Sequence, residues 1–180
     1  MLSKLLSYIL PVNIYKMKSD ISQSIEITWN NGELVLDSKN TNYSYGSLQR
    51  ILRKGLKKIG YNKIQSFKHI LVLGVAGGSV IKTLKDEVQY KGKITGVEID
   101  REIIDIANQY FDLDKFPNVE IVIDDASDFV HKTNNKYDLI IIDIFQDTEM
   151  PEFLFEEKFI STVKNLVSVN GYILFNTMIK

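Results

Sequence analysis

From residue 68 onward the chain alternates strand-like and helix-like segments, and its strand-like segments are apolar without a break. They read ILVLG (70–74), KITGVEI (93–99), VEIVI (119–123), YDLIIID (137–143) and GYILFNT (171–177), with helical spacing between them at 80–89, 101–111, 126–131 and 154–167. A strand with one wet face alternates apolar and polar residues, whereas a strand that does not alternate is buried on both faces. That burial requires a parallel sheet with helices on each side. The predicted fold class is therefore α/β, a doubly wound, Rossmann-like parallel sheet. Ligands of such sheets sit beyond the carboxyl ends of the strands, at the point where the winding reverses.

The preceding residues divide into two parts. Residues 1–20 place Leu2, Leu5, Leu6, Ile9 and Leu10 at helical spacing and stop that pattern at Pro11. This amphipathic segment is too short to span a membrane, lacks a small-residue cleavage site, and is expected to dock on the body or on a second subunit. Residues 21–46 predict a β-hairpin, because Ile25, Ile27 and Trp29 alternate with polar residues before Asn30-Asn31-Gly32 and the run resumes at Leu34 and Leu36. Residues 47–180 then form the Rossmann-like domain, opened by an amphipathic helix from Ser47 to Gly60. Its other face carries Arg50, Arg53, Lys54, Lys57 and Lys58, which without interleaved aromatics reads as a solvated face.

Composition removes several classes of chemistry. Lys plus Arg (22) nearly balance Asp plus Glu (23) in 180 residues, so no overall field favours nucleic acid or an anionic membrane as partner. No cysteine is present, which excludes disulfides, thiolate nucleophiles and cysteine zinc sites and agrees with a cytoplasmic location. His69 and His131 lack metal-ligand spacing, so no metal is expected. Carboxylates, hydroxyls, amides and a bound cofactor must supply any reaction.

The first strand-to-helix turn, HILVLGVAGGSV, carries Gly74, Gly77 and Gly78 at the ligand edge. Glycines there either tighten the turn for packing or let a ligand approach the backbone, and three within five positions favour the ligand. A dinucleotide fingerprint starting at Gly74 would need glycine at Ala76 and Ser79, and no phosphate-binding Gly-Lys-Ser/Thr follows. A nucleoside cofactor without pyrophosphate is left, with S-adenosylmethionine the leading candidate. Glu98, closing the second strand, can accept from both hydroxyls of a ribose diol. Asp125 either meets the amine of adenine or caps the helix that starts at Ala126. Asp143 ends the most apolar strand, at the mouth of the sheet, where carboxylates commonly serve a site.

Together, the hairpin, NYSYGSLQ, LVLGVAGGS, GVEID, DDASDF and YDLIIIDIFQDTEMPEFLFEEKF resemble the spermidine synthase-like branch of the class I S-adenosylmethionine-dependent methyltransferase superfamily. The resemblance implies nucleoside binding by the loop Gly74, Val75, Ala76, Gly77 and Gly78, by Glu98 and Ile99, and by Asp125 and Ala126. It implies Asp143 as base toward an amine acceptor. Two positions depart from the aminopropyl-transferring members: their loop aspartate, which holds the amine of decarboxylated S-adenosylmethionine, aligns with Gly77, and their second acceptor-binding acid aligns with Gln146, one residue before Asp147. Their acidic acceptor motif near the hairpin becomes Tyr45-Gly46-Ser47. Tyr45, Gln146 and Asp147 are the expected acceptor-side residues.

A polyamine needs several carboxylates to offset the desolvation of its ammonium groups. With those acids reduced, methyl transfer to a small acceptor is expected ahead of aminopropyl transfer to an amine, with a non-catalytic nucleoside-binding module as the contrasting class. The resemblance also implies a final hairpin after the fifth strand. Its absence before Lys180 predicts either a missing portion of chain or a minimal fold, whose apolar edge at 172–178 a homodimer would cover.

Overall fold

The computed structural model describes residues 2–22, 24–37, 42–145 and 149–177. Helix α1 (Leu2–Leu6) leads into an antiparallel sheet with the order β1 (Val12–Met17), β2 (Ile25–Asn30), β3 (Glu33–Asp37), β4 (Asn42–Ser44). The β2–β3 turn sits at Asn31 and Gly32, with φ of 50° and 79°, and Asn30 pairs with Glu33. Positive φ at both positions is what a two-residue hairpin needs and what Asn-Gly tolerates.

This sheet has two strands more than the predicted hairpin. β1 follows directly after Pro11, where the helical pattern was read to stop, and no clean alternation reveals it because it is an edge strand with a bulge between Asn13 and Tyr15. The leucines of α1 do not dock on the body: Leu5 is 64% exposed and Ile9, just beyond, 80%. Ser7 anchors the segment instead, its carbonyl accepting from Asn31 N at 2.9 Å and its hydroxyl from Gly32 N at 3.0 Å.

Helices α2 (Gly46–Ile59) and α3 (Tyr61–Gln65) lead into the second sheet. There β5 (His69–Leu73) is followed by α4 (Ser79–Lys82), which continues as a π-helical turn over Thr83–Glu87. β6 (Lys93–Glu98) and α5 (Arg101–Phe111) come next, then a 3₁₀ turn at Leu113–Lys115, β7 (Val119–Ile123) and α6 (Ala126–Lys132). β8 (Tyr137–Ile142), a 3₁₀ turn at Glu152–Phe155, α7 (Glu157–Leu166) and β9 (Val167–Phe175) complete the order. The sheet runs β7-β6-β5-β8-β9 and every pairing is parallel. The expected doubly wound α/β architecture is thus the observed one.

Its centre is dry for the reason the sequence implied. Ile70 to Leu73 are fully buried, as are Leu139, Ile140 and Ile141, and such aliphatic side chains each contribute about 1.5–3 kcal/mol on burial. Leu52 and Leu56 of α2 join Val80 and Ile81 over one face, while Val130, Phe159 and Val163 from α6 and α7 cover the other. β9 starts four residues before the predicted strand, and its pairing shifts register opposite Asp138, where Asn170 adopts φ 63°. It is the edge of the sheet, with Val169 94% exposed.

Helix α5 joins the two sheets. Ile104 and Ala107 pack into the parallel sheet's core, and Ile103, Ile106 and Phe111 pack with Ile25, Ile27 and Leu36 of the antiparallel one. One helix apolar on two sides sets the N-terminal sheet against the carboxyl edge of the strands.

Candidate functional site

The strand order reverses between β5 and β8, and both chains leave the sheet side by side there. Gly74 N donates to Val97 O at 3.0 Å and Asp143 N to Leu73 O at 2.9 Å. A cleft opens at this point, where sheets of this kind hold their ligands. Its walls come from the ends of four strands: Gly74 and Ala76 after β5, Glu98 and Ile99 at β6, Asp125 and Ala126 after β7, Asp143 after β8.

The bare backbone of the glycine loop has packing reasons. Gly74 has φ 84°, and a Cβ on it would stand 2.2 Å from the carbonyl oxygen of Asp143. A Cβ on Gly77 would stand 2.9 Å from Ser44 Cβ and 3.2 Å from Tyr45 Cε2. Neighbouring chain thus accounts for the missing side chain at both positions, and of the three glycines Gly74 lines the cleft. Val75 is turned into the core, and neither Gly77 nor Gly78 lines the cleft.

Glu98 is buried, and its carboxylate ties two turns together. Oε2 accepts from Val75 N (3.0 Å) and Ala76 N (2.9 Å), and Oε1 from Ile99 N (3.0 Å) and Asp100 N (3.1 Å). Burial pushes its carboxyl above the ordinary range, and the four N–H donors oppose that shift by stabilising the charge. Four donors fill the lone pairs of a carboxylate, so any further donor would have to share those oxygens.

Asp125 takes one of its two expected roles, that of helix cap. Its Oδ1 caps α6, accepting from Ser127 N at 2.7 Å and Asp128 N at 3.3 Å, and the residue lines the cleft. Asp143 faces the cleft from the opposite wall. Burial pushes its carboxyl up to about 6, and the Asn176 side chain, donating Nδ2 to Oδ1 at 2.9 Å, holds it back from rising further.

Tyr45 does not line the switch-point cleft. Its buried ring stacks on Phe111 with centroids 4.5 Å apart, its hydroxyl donates to Gly77 O at 3.1 Å, and burial raises that hydroxyl's pKa. It braces the loop from behind, at φ 74°. Gln146 and Asp147 lie outside the described residues. Among the described residues no group of three or more His, Cys, Asp or Glu side chains could hold a metal ion, and no helix is long and apolar enough to cross a membrane.

Ten cleft residues escaped the sequence reading, among them Ile21, Ser22, Asp100 and Asp124. Ile21 and Ser22 come from the β1–β2 connection, and nothing local marks them. Asp100 had a signal, an acid just before a helical pattern, and it caps α5 by accepting from Glu102 N at 3.1 Å. Asp124 adjoins Asp125 and pairs with Lys132 at 3.1 Å. Asn176, which touches Asp143, had the same signal as Asp143 itself: a polar residue ending an apolar strand.

A parallel sheet wound in this order, with acids gathered at its switch point, is the architecture of the Rossmann-like class I S-adenosylmethionine-dependent methyltransferase superfamily. Within it, the chain belongs to the family described as the spermine/spermidine synthase domain, whose pattern matches residues 50–177. The polyamine aminopropyltransferase of Vibrio vulnificus (strain CMCP6) is 32% identical over 113 residues, 61% of this chain and 38% of that protein. A Drosophila melanogaster protein named eEF1A lysine and N-terminal methyltransferase homolog is 29% identical over 118 residues, 61% of this chain and 17% of its own length. The crystal structure of spermidine synthase from Thermotoga maritima matches with a TM-score of 0.66 at 25% identity, over 86% of this chain and 53% of that one. The chain therefore spans about half or less of the length of each of these relatives.

Proposed function

We propose that the chain binds an adenosyl-sulfonium donor in the switch-point cleft and transfers an aminopropyl group from it to an amine. Sequence reasoning alone put methyl transfer first. Membership of the spermine/spermidine synthase family and similarity to polyamine aminopropyltransferases support aminopropyl transfer more strongly. The donor would be decarboxylated S-adenosylmethionine.

The observation that carries this reading is Asp143, a carboxylate at the switch point with a pKa of about 6, facing the acids of β6 and β7 across the cleft. At neutral pH it is ionised, and it is more basic than an ordinary aspartate, so it suits taking the proton from an attacking amine. Its Asn176 partner fixes one oxygen and leaves the other toward the cleft. Glu98 would take the ribose hydroxyls, Asp125 and Ala126 would meet the adenine edge, and Ile99 would cover its face. Such a donor supplies a positively charged sulfur whose neighbouring carbon takes the acceptor's lone pair while an uncharged thioether leaves.

Methyl transfer is the second reading, and Gly77 favours it. The loop offers no carboxylate at that position for the donor's amine, and Ser44 and Tyr45 leave little room for one. Titration calorimetry with S-adenosylmethionine and its decarboxylated form, followed by mass spectrometry of turnover with putrescine, separates the outcomes. Methylthioadenosine as product supports the first reading, S-adenosylhomocysteine the second. Binding without either product leaves a nucleoside-binding module.

A further inference from the structure

Asp100 is 1% exposed and makes no ion pair among the described residues, although it belongs to a cleft-lining turn. A buried carboxylate without a cation must be satisfied by hydrogen bonds. One oxygen, Oδ1, caps α5. The other, Oδ2, accepts from the hydroxyls of Ser19 and Ser22, the second at 3.0 Å, and both serines lie in the β1–β2 connection about 80 residues earlier in the chain. Ser19 Oγ in turn accepts from Ser22 N at 2.8 Å and Ile21 N at 3.2 Å. The connection is therefore folded around one hydroxyl and clipped to a buried charge of the other sheet.

That clip brings Ile21 and Ser22 to the cleft. Ile21 stands at the mouth, 46% exposed, and shares the lining with Ile99 and Ile103. An N-cap needs one acceptor oxygen, which a serine or asparagine supplies as well as an aspartate. The second oxygen of Asp100 has no part in the helix; it serves the strap.

We propose that Asp100 is a positioning residue that, through Ser19 and Ser22, straps the β1–β2 connection across the mouth of the nucleoside cleft, so that Ile21 becomes the apolar wall contributed by the N-terminal sheet. The proposal rests on the nucleoside-donor reading above. The strap holds a flat apolar ring face and slows its departure; it touches no reacting atom.

The test uses the full chain, with S-adenosylmethionine and methylthioadenosine as probes in calorimetry and stopped-flow dissociation. Removing both hydroxyls, Ser19→Ala with Ser22→Ala, leaves the α5 cap in place. It should weaken binding about tenfold, mainly through faster dissociation, with the melting temperature within a few degrees of wild type. Ile21→Ala should weaken binding several-fold with the clip intact. Asp100→Asn keeps Oδ1 for the cap but turns an NH₂ group toward Ser19 Oγ, whose lone pairs the Ile21 and Ser22 N–H groups already fill, so it should weaken binding about as much as the double-serine variant. Wild-type affinity in both the double-serine and the Ile21 variants overturns the proposal. If wild type binds neither probe, the nucleoside reading fails by itself. The strap is then judged by hydrogen exchange of peptides spanning 18–25: faster exchange in the double-serine variant supports it, and equal exchange overturns it.

Discussion

Asn176 Nδ2 donates to Asp143 Oδ1 across 2.9 Å, and the backbone N of Asn176 donates to Ile142 O at 2.9 Å. The residue after β9 is thereby locked to the last residues of β8, and its amide fixes the carboxylate that faces the cleft. Because the amide offsets only part of the desolvation, Asp143 keeps its proton up to about pH 6 in the folded protein.

The sign of the pH effect follows from that shift. The folded pKa lies above the ordinary aspartate value of 3.8, so the group's contribution to stability is fully present below about pH 4 and is lost as pH rises through about 6. Asp143→Asn, whose oxygen can still accept from Asn176, should therefore be more stable than wild type by about 2–3 kcal/mol at pH 8, relative to the difference at pH 4. Urea unfolding at the two pH values measures this. A mutant effect that does not change with pH would remove the shifted ionisation. Transfer activity should disappear in the same variant and, in wild type, decline below about pH 6.

Glu98→Gln tests whether the buried carboxylate is structural. An amide in its place turns an NH₂ group toward either Val75 N and Ala76 N or Ile99 N and Asp100 N, setting donor against donor. Two buried N–H groups lose their acceptor, at a cost of about 2–4 kcal/mol. Full stability in denaturant combined with weaker nucleoside binding would instead assign Glu98 wholly to ligand.

Gly77 tests the brace behind the loop. Gly77→Ala puts a methyl 2.9 Å from Ser44 Cβ and should cost about 1–3 kcal/mol in urea unfolding. Adding Ser44→Gly removes the obstructing atoms and should recover part of that loss. An alanine tolerated without cost would show that the loop has slack there, and it would reopen the position to an acid.

Gly74 and Gly60 form a matched pair, since both have positive φ, 84° and 101°. A Cβ at Gly60 meets nothing within 4 Å, whereas at Gly74 it meets the backbone of Asp143 at 2.2 Å. Gly60→Ala should cost about 1–3 kcal/mol, the strain of the backbone conformation alone. Gly74→Ala should cost more than about 4 kcal/mol or prevent folding, because the main-chain carbonyl of Asp143, just after β8, cannot rotate aside. Soluble yield and thermal melting distinguish the two.

Most elements, and the side of each that is apolar, were legible along the chain, although β1 and β4 were not. Unbroken apolar strands announced a parallel sheet, Asn31-Gly32 announced the turn of the N-terminal hairpin, and Asp143 and Asp125 could be placed at strand ends because a strand end is a local event. Partnership was decided only by the tertiary structure. Nothing in the spacing of GVEID reveals that Glu98 collects N–H donors from a turn 22 residues earlier, or that Tyr45 turns its ring onto Phe111 behind the loop. β1, the Asn176 contact and the clip between Asp100 and the β1–β2 connection were equally hidden. The physical reason is that periodicity records which face of an element avoids water, while a hydrogen bond between residues about 80 positions apart depends on where two elements meet. That meeting is set by the packing of α5 between the sheets, and no local run of residues contains it.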